Sequence, residues 1–258
     1  MKEFLLDKKI ALITGGNGGI GLGISEGLSK NGATVIIAGR NKDKNDSALE
    51  ELRKINKKND SVKLNVNNQT SINECVNYVL EKFGRIDILV NNAGINRRSE
   101  EPHLLSKIDW KEVMDTNLNS IHDITSKVFP IMKKNKSGKI INIGSMMSIF
   151  GTAYAAAYAA SKGGVVQYTK SCAVAWAKYN VQVNSILPGW IVTEMTNDFK
   201  DKFPERYAMI VERTPADRWG IPKDLAGTAI FLSSNLSDFV TGISIPVDGG
   251  YSVWWVFK

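Results

Sequence analysis

A chain of 258 residues without any apolar run near the roughly 20 residues of a membrane helix reads as a single globular domain over 1–258 with no membrane partner. The net charge of +7 is spread over Lys-rich stretches, from Lys54 to Lys58 and from Lys133 to Lys136, which favours an anionic cofactor or substrate but draws no stripe for nucleic acid. Two cysteines in helical apolar spacing, Cys75 and Cys172, read as buried free thiols, and with only His103 and His122 beside them no zinc site and no other metal is expected.

The amino end, Met1-Lys2-Glu3-Phe4-Leu5-Leu6-Asp7, lacks the apolar stretch of a secretory signal, so the cytoplasm is the expected location. From there short β-branched runs alternate with longer amphipathic ones, the pattern of repeated βαβ units. In chain order this predicts a strand over 9–14, a helix over 19–31, a strand over 34–38, a helix over 43–57 and a strand over 62–66. A helix over 70–83, a strand over 86–91, a helix over 107–134 and a strand over 139–144 follow. The series ends with a helix over 154–179, a strand over 181–187, a helix over 222–233 and a strand over 243–247. The expected fold class is α/β: a doubly wound Rossmann fold, a seven-stranded, mostly parallel sheet with helices on both faces and ligands at the carboxyl ends of the strands. Segment 193–217 carries Pro204 and Pro215, breaks the rhythm after the sixth strand, and reads as a substrate lid.

The first strand runs into Thr14-Gly15-Gly16-Asn17-Gly18-Gly19-Ile20-Gly21 just before a helix, so backbone N–H groups can face a pyrophosphate at a helix N-terminus. A G-x-G-x-x-G pattern fits at Gly16, Gly18 and Gly21, and a second register fits at Gly15, Gly19 and Gly21. Further on, Tyr158 and Lys162 are four apart in a helical stretch and share one face. A phenol with a reference pKa of about 10 exchanges protons near neutrality only beside positive charge, which the Lys162 ammonium can provide. Ser145, at the end of the fifth predicted strand, can offer its hydroxyl to a carbonyl or alcohol at the same sheet edge.

Taken together, Thr14-Gly15-x-x-x-Gly19-Ile20-Gly21, Asn91-Asn92-Ala93-Gly94, Ser145, Tyr158-x-x-x-Lys162, Pro188-Gly189-Trp190-Ile191-Val192-Thr193 and Asp248-Gly249-Gly250 resemble the short-chain dehydrogenase/reductase family over essentially the whole chain. The resemblance favours the register of Gly15, Gly19 and Gly21. It implies oxidation of a secondary alcohol or its reverse, with Tyr158 as acid/base, Ser145 orienting the substrate, Lys162 also holding the nicotinamide ribose, and Asn117 supporting a water-linked proton path. Cofactor contacts are implied at Gly15, Asn17, Gly19, Ile20, Gly21, Asn92, Ala93, Gly94, Tyr158, Lys162, Pro188 and Gly189. Ile191 and Thr193 are expected to hold the carboxamide, so that transfer uses the pro-S face.

After the second strand, Gly39 stands where an acid would bind the ribose 2′-hydroxyl, and Arg40 can pair with a 2′-phosphate, so NADP(H) is favoured and NAD(H) is the alternative. Asn65, followed by Val66, replaces the family's usual Asp near the third strand and can still accept from adenine. Within the family the likeness is greatest to gluconate 5-dehydrogenases and 2-deoxy-D-gluconate 3-dehydrogenases, carried by Asn91 to Arg98, Gly144 to Ser148 and Arg213 to Gly220. It implies a sugar acid as the small-molecule substrate, met by Ser145, Met147, Tyr158 and Trp190, with Arg97 or Arg98 on its carboxylate. A 3-oxoacyl-[acyl-carrier-protein] reductase and a non-catalytic dinucleotide sensor are the rival readings. The aromatic end from Tyr251 to Phe257 is expected in a crevice or at a subunit contact, and the family's habit implies a homotetramer.

Overall fold

Side chains alternate across each strand with the period of two that a sheet buried on both faces requires. Ala11, Ile13, Val35, Ile37, Ile88 and Val90 enter one core, while Ile10, Leu12, Ile36, Ala38 and Leu89 enter the other. The computed structural model describes residues 4–194 and 196–254. Its sheet has the order β3-β2-β1-β4-β5-β6-β7 and every pairing is parallel. The strands are β1 (Ile10–Thr14), β2 (Thr34–Gly39), β3 (Asp60–Lys63), β4 (Ile88–Asn91), β5 (Gly138–Ile143), β6 (Val181–Pro188) and β7 (Ser244–Val247). Helices α1 (Gly19–Lys30), α2 (Lys42–Ile55) and α9 (Ala226–Ser233) close the first core, and α3 (Gln69–Phe83), α5 (Ser120–Asn135) and α6 (Ala156–Trp176) close the second. Three shorter helices, α4 (Lys107–Met114), α7 (Phe199–Lys202) and α8 (Pro204–Glu212), complete the set. β1 lies between β2 and β4, so the chain reverses its winding there and the carboxyl ends of β1 and β4 frame a crevice.

The expected doubly wound sheet is present, with all seven strands parallel. Other expectations need correction. The third strand occupies Asp60–Lys63, leaving Asn65 and Val66 in the loop beyond it. Its acidic start is buried because Arg53, Lys82 and the Tyr78 hydroxyl all bind the Asp60 carboxylate. Burial opposes ionisation of Asp60, but the Lys82 and Tyr78 hydrogen bonds outweigh it and hold the carboxyl below its usual range.

The helix expected over 107–134 is divided by a π turn, Asp115–Asn119. The stretch 222–233 opens with a 3-10 turn, Pro222–Leu225, and 154–179 closes with another, Ala177–Tyr179. No helix among the described residues is long and apolar enough to cross a membrane. Of the aromatic end, Trp255, Val256 and Phe257 lie outside the described residues, whereas Tyr251 packs edge-on against Phe150 and under the Arg213 guanidinium.

Candidate active site

The turn after β1 depends on its glycines in different ways. Gly15 and Gly19 have φ of 63° and 50°, the left-handed region where a side chain is strained. Gly21 is needed for close approach, since a Cβ there would stand 2.2 Å from the Gly15 carbonyl oxygen. Gly18, by contrast, is extended and meets nothing within 4 Å. The register of Gly15, Gly19 and Gly21 therefore carries the conformational demand, and it brings Ile20 into the first turn of α1.

Asn92 fastens this turn to β4. Its amide donates to the carbonyls of Thr14 (3.0 Å) and Gly15 (3.1 Å), while the Thr14 hydroxyl accepts from the Asn92 and Ala93 N–H groups. Thr14 was present in the motif but was given no role from sequence. On the far side, the Thr193 methyl stands against Gly19, so the chain after β6 forms a second wall opposite the glycine turn. Gly189 lets the end of β6 press against Asp248, and Pro188 pairs with Val247 across the sheet.

A groove of about 330 Å³ continues from Gly15 and Asn17 past Gly39 and Arg40 to Asn65, Val66, Ala93 and Gly94. Its floor is tight: the Asn17 amide donates to Asn45 (2.6 Å), and the Asn45 amide donates to the Gly39 carbonyl (3.0 Å) and, at 3.3 Å, to that of Val62. A Cβ on Gly39 would stand 2.4 Å from Asn17 Nδ2 and 2.6 Å from Asn45 Oδ1. Arg40 is exposed on the rim, and among the described residues no acid pairs with it. A cradle of glycines at a helix start, leading to a cation where an acid would be needed for a bare ribose, fits an adenine dinucleotide bearing an extra phosphate.

At the inner end of the crevice, Ser145 lies two residues beyond β5 and caps the 3-10 turn Met146–Ser148 rather than ending the strand. Its hydroxyl accepts from the Met147 N–H (3.1 Å) and hydrogen-bonds Tyr158. Lys162, 4% exposed, lies one helical turn from Tyr158 with Nζ 5.7 Å from the ring centroid, and donates to the Ile143 carbonyl at 2.7 Å. Burial pushes the Tyr158 phenol above its ordinary pKa, with the Ser145 hydrogen bond working the other way. The same loss of water lowers Lys162 to about 8. This differs from the expectation of a phenol depressed by its lysine: the ammonium is directed at Ile143, and desolvation outweighs its influence on the ring.

Asn117 sits in the middle of the π turn, where the widened backbone swings its amide against the loop after β4. It accepts from the Ile95 N–H (2.8 Å) and donates to the Ile95 carbonyl (2.9 Å) and the Ser161 hydroxyl (3.2 Å). Gly94 passes between Asn117 and Lys162, its Cβ position 3.3 Å and 3.7 Å from their polar atoms. The structure thus brings Asn117, Ser145, Tyr158 and Lys162 to one end of the crevice, and it adds Ser161 and Ser148, unremarked in the sequence, which tie α6 to Asn117 and to the Ser145 turn.

The substrate side is less gathered. Arg97 pairs with Glu112 at 2.9 Å and with Asp109 at 3.5 Å, both on α4, whereas Arg98 is exposed. Trp190 packs against Trp219 and Phe199, whose ring centroids lie 5.3 Å and 5.7 Å away, and neither indole N–H has a protein partner. A larger hollow of about 620 Å³, lined by Asp115, His122, Asp123 and Tyr168, includes none of the catalytic set.

A family model described as enoyl-(acyl carrier protein) reductase matches residues 15–252, spanning the glycine turn, the Tyr–Lys pair and the Asp248 turn. The chain belongs to the short-chain dehydrogenase/reductase family. It is 44% identical over 94% of its length to the 2-dehydro-3-deoxy-D-gluconate 5-dehydrogenase of Formosa agariphila, 92% of which is covered. It is also 39% identical, over 95% of the chain and 98% of the relative, to a 3-oxoacyl-[acyl-carrier-protein] reductase of Thermotoga maritima. Among solved structures, a gluconate 5-dehydrogenase from Burkholderia cenocepacia in complex with NADP and tartrate superposes with a TM-score of 0.93 at 37% identity, covering 98% of this chain and 99% of that one.

Proposed function

We propose that this chain is an NADP(H)-dependent oxidoreductase interconverting a secondary alcohol and a ketone on a sugar acid of the gluconate/5-ketogluconate kind. The observation that carries the reaction is the joined group Ser145, Tyr158 and Lys162 at the carboxyl edge of β5, beside the glycine turn. Ser145 and Tyr158 share one hydrogen bond, so a substrate oxygen placed between their hydroxyls is oriented by both. In oxidation Tyr158 takes the hydroxyl proton, and in reduction it returns a proton to the ketone oxygen. Lys162, with a pKa near 8, can hold or release a proton close to neutrality, and the Gly94 backbone lies between its ammonium and the Asn117 amide. When bound, the nicotinamide supplies the carbon that accepts or donates hydride. Gly15, Asn17, Gly19, Ile20, Gly21, Asn92, Ala93 and Gly94 would hold the dinucleotide from one side and Pro188, Gly189, Ile191 and Thr193 from the other, with Asn65 and Val66 at the adenine.

NADP(H) follows from Gly39 and Arg40 and accords with the NADP in the Burkholderia relative. Arg40→Ala is expected to raise the NADPH dissociation constant about tenfold or more while changing that of NADH little, because a charge-assisted bidentate pair with phosphate is lost. Fluorescence titration of both cofactors measures this; equal weakening would assign Arg40 to some other contact.

The substrate class is supported by the sugar-acid dehydrogenases among the relatives, and Arg98 is the guanidinium open to a carboxylate, Arg97 being held by Glu112. The segment 193–217, whose Phe199 packs against Trp190 before it and Trp219 after it, would be the lid over this substrate, and a cytoplasmic homotetramer is the assembly that the family resemblance favours. Initial rates on gluconate, a neutral polyol of similar length and an acetoacetyl thioester test the reading. Gluconate is expected to give the highest kcat/KM, and Arg98→Ala to narrow its lead over the polyol. The highest rate on the thioester would instead favour the acyl reductase, which the Thermotoga relative keeps in view.

A further inference from the structure

Lys44 joins Arg40 and Asn41 in lining the groove at the adenosine end, yet its ammonium already has a partner. It meets the carboxylate of Glu194, 150 residues further along the chain, at 2.5 Å, with the two side chains 53% and 75% exposed. The pair spans the crevice from the first turn of α2 to the wall after β6. The Lys44 backbone is pinned, its N–H donating to the Asn41 cap at 3.0 Å. The nearby Lys42 is engaged within its own helix by Asp46.

The other end of this bridge is anchored as well. Glu194 follows Thr193, whose N–H donates to the Thr196 hydroxyl at 2.9 Å while that hydroxyl donates to the Ile191 carbonyl at 2.8 Å. Val192 is held to the Gly220 carbonyl, also at 2.9 Å. Both backbones are thus anchored, and the bridge is made by two exposed side chains, the ammonium on a flexible four-carbon stem that can turn to another acceptor.

We propose that Glu194 competes with the 2′-phosphate of the cofactor for Lys44, and that cofactor choice includes an exchange in which Lys44 leaves Glu194 for that phosphate. The inference rests on the NADP(H) reading above. An exposed pair of single charges is weak, since water screens it and both side chains lose rotamer freedom. A phosphate monoester brings a larger charge and three acceptor oxygens to the same ammonium, so the exchange runs toward phosphate. A bare 2′-hydroxyl offers neither, so with NAD(H) Lys44 stays with Glu194. Glu194 thereby lowers affinity for NADP(H) without acting on NAD(H), which lacks the phosphate.

The test is a double-mutant cycle on the full chain, with dissociation constants for NADPH and NADH read from cofactor fluorescence for wild type, Lys44→Ala, Glu194→Gln and the double variant. All changes are at exposed side chains, and thermal melts confirm folding. Glu194→Gln is expected to tighten NADPH about threefold, a gain in keeping with release of an exposed ion pair, and to leave NADH unchanged. Lys44→Ala is expected to weaken NADPH severalfold, and adding Glu194→Gln to it should then change nothing. An unchanged NADPH constant in Glu194→Gln overturns the proposal. So does an equal gain in the Lys44→Ala background, which would mean simple repulsion of the phosphate by Glu194 rather than competition for Lys44. If wild type bound NADPH no better than NADH, the NADP(H) reading itself would fall, and the exchange with it.

Discussion

Tyr158→Phe is expected to leave a folded protein that binds NADPH as wild type does but turns over about 10²–10⁴ times more slowly, the usual contribution of a positioned general acid/base. The ring is the part of Tyr158 that packs, and it is retained, so the lysine contact and the start of α6 should persist. Ser145 loses one partner but keeps the Met147 N–H, so its turn should also hold. What disappears is the phenolic hydroxyl that hydrogen-bonds Ser145 and that the proposed mechanism uses to pass a proton to the substrate oxygen. Steady-state kcat, cofactor titration and a thermal melt separate these effects. Near-normal turnover with unchanged NADPH binding would remove Tyr158 from the acid/base role.

The second large effect is expected from Gly21→Ala. An added methyl would sit 2.2 Å from the Gly15 carbonyl oxygen and 2.5 Å from Asn92 Nδ2, and the first of these is backbone that cannot swing aside. Either α1 moves away from β1 or the Asn92 clamp on Thr14 and Gly15 opens, and both outcomes spoil the N–H groups facing the pyrophosphate. Overpacking of this kind costs about 1–3 kcal/mol of stability. We expect a lower Tm together with a loss of cofactor affinity of at least about tenfold, since helix N-terminus and backbone contacts to phosphate are charge-assisted. Gly18→Ala is the matched control, because its Cβ meets nothing within 4 Å and its backbone is already extended. If the two variants behave alike, the close approach at Gly21 has no bearing on cofactor binding.

The strands were legible where β-branched residues are buried on both faces, as in β1 and β2, because there the pattern and the packing have the same cause. β3 was misplaced because it begins with an acid, and the groups that neutralise Asp60 come from α2 and α3 rather than from its neighbours. The π turn was invisible for a similar reason: it accompanies Asn117 gripping Ile95, 22 residues away in sequence.

Among the site residues, the Tyr158–Lys162 spacing is local and could be read directly, and the glycine register was chosen by resemblance before φ values gave it a physical reason. Arg97 shows the opposite case. Its sequence says only that a guanidinium follows β4, and nothing in the local pattern announces Asp109 and Glu112 as its partners. Lys44 was overlooked because its partner lies on the other wall of the crevice.

The narrow fit around Gly39 bears on how such a protein can change over generations. Exchanging the phosphate-bearing cofactor for the plain one calls for an acidic replacement at that position, yet the new Cβ would press on the Asn17 and Asn45 amides. Asn45 in turn ties the ends of β2 and β3 through the Gly39 and Val62 carbonyls, so yielding there loosens the edge of the sheet. The atoms in the way are the amide ends of two side chains, so that step asks the Asn17–Asn45 hydrogen bond to re-form around the new residue. The redox currency this protein draws on is thereby coupled to the packing of two asparagines as well as to charge.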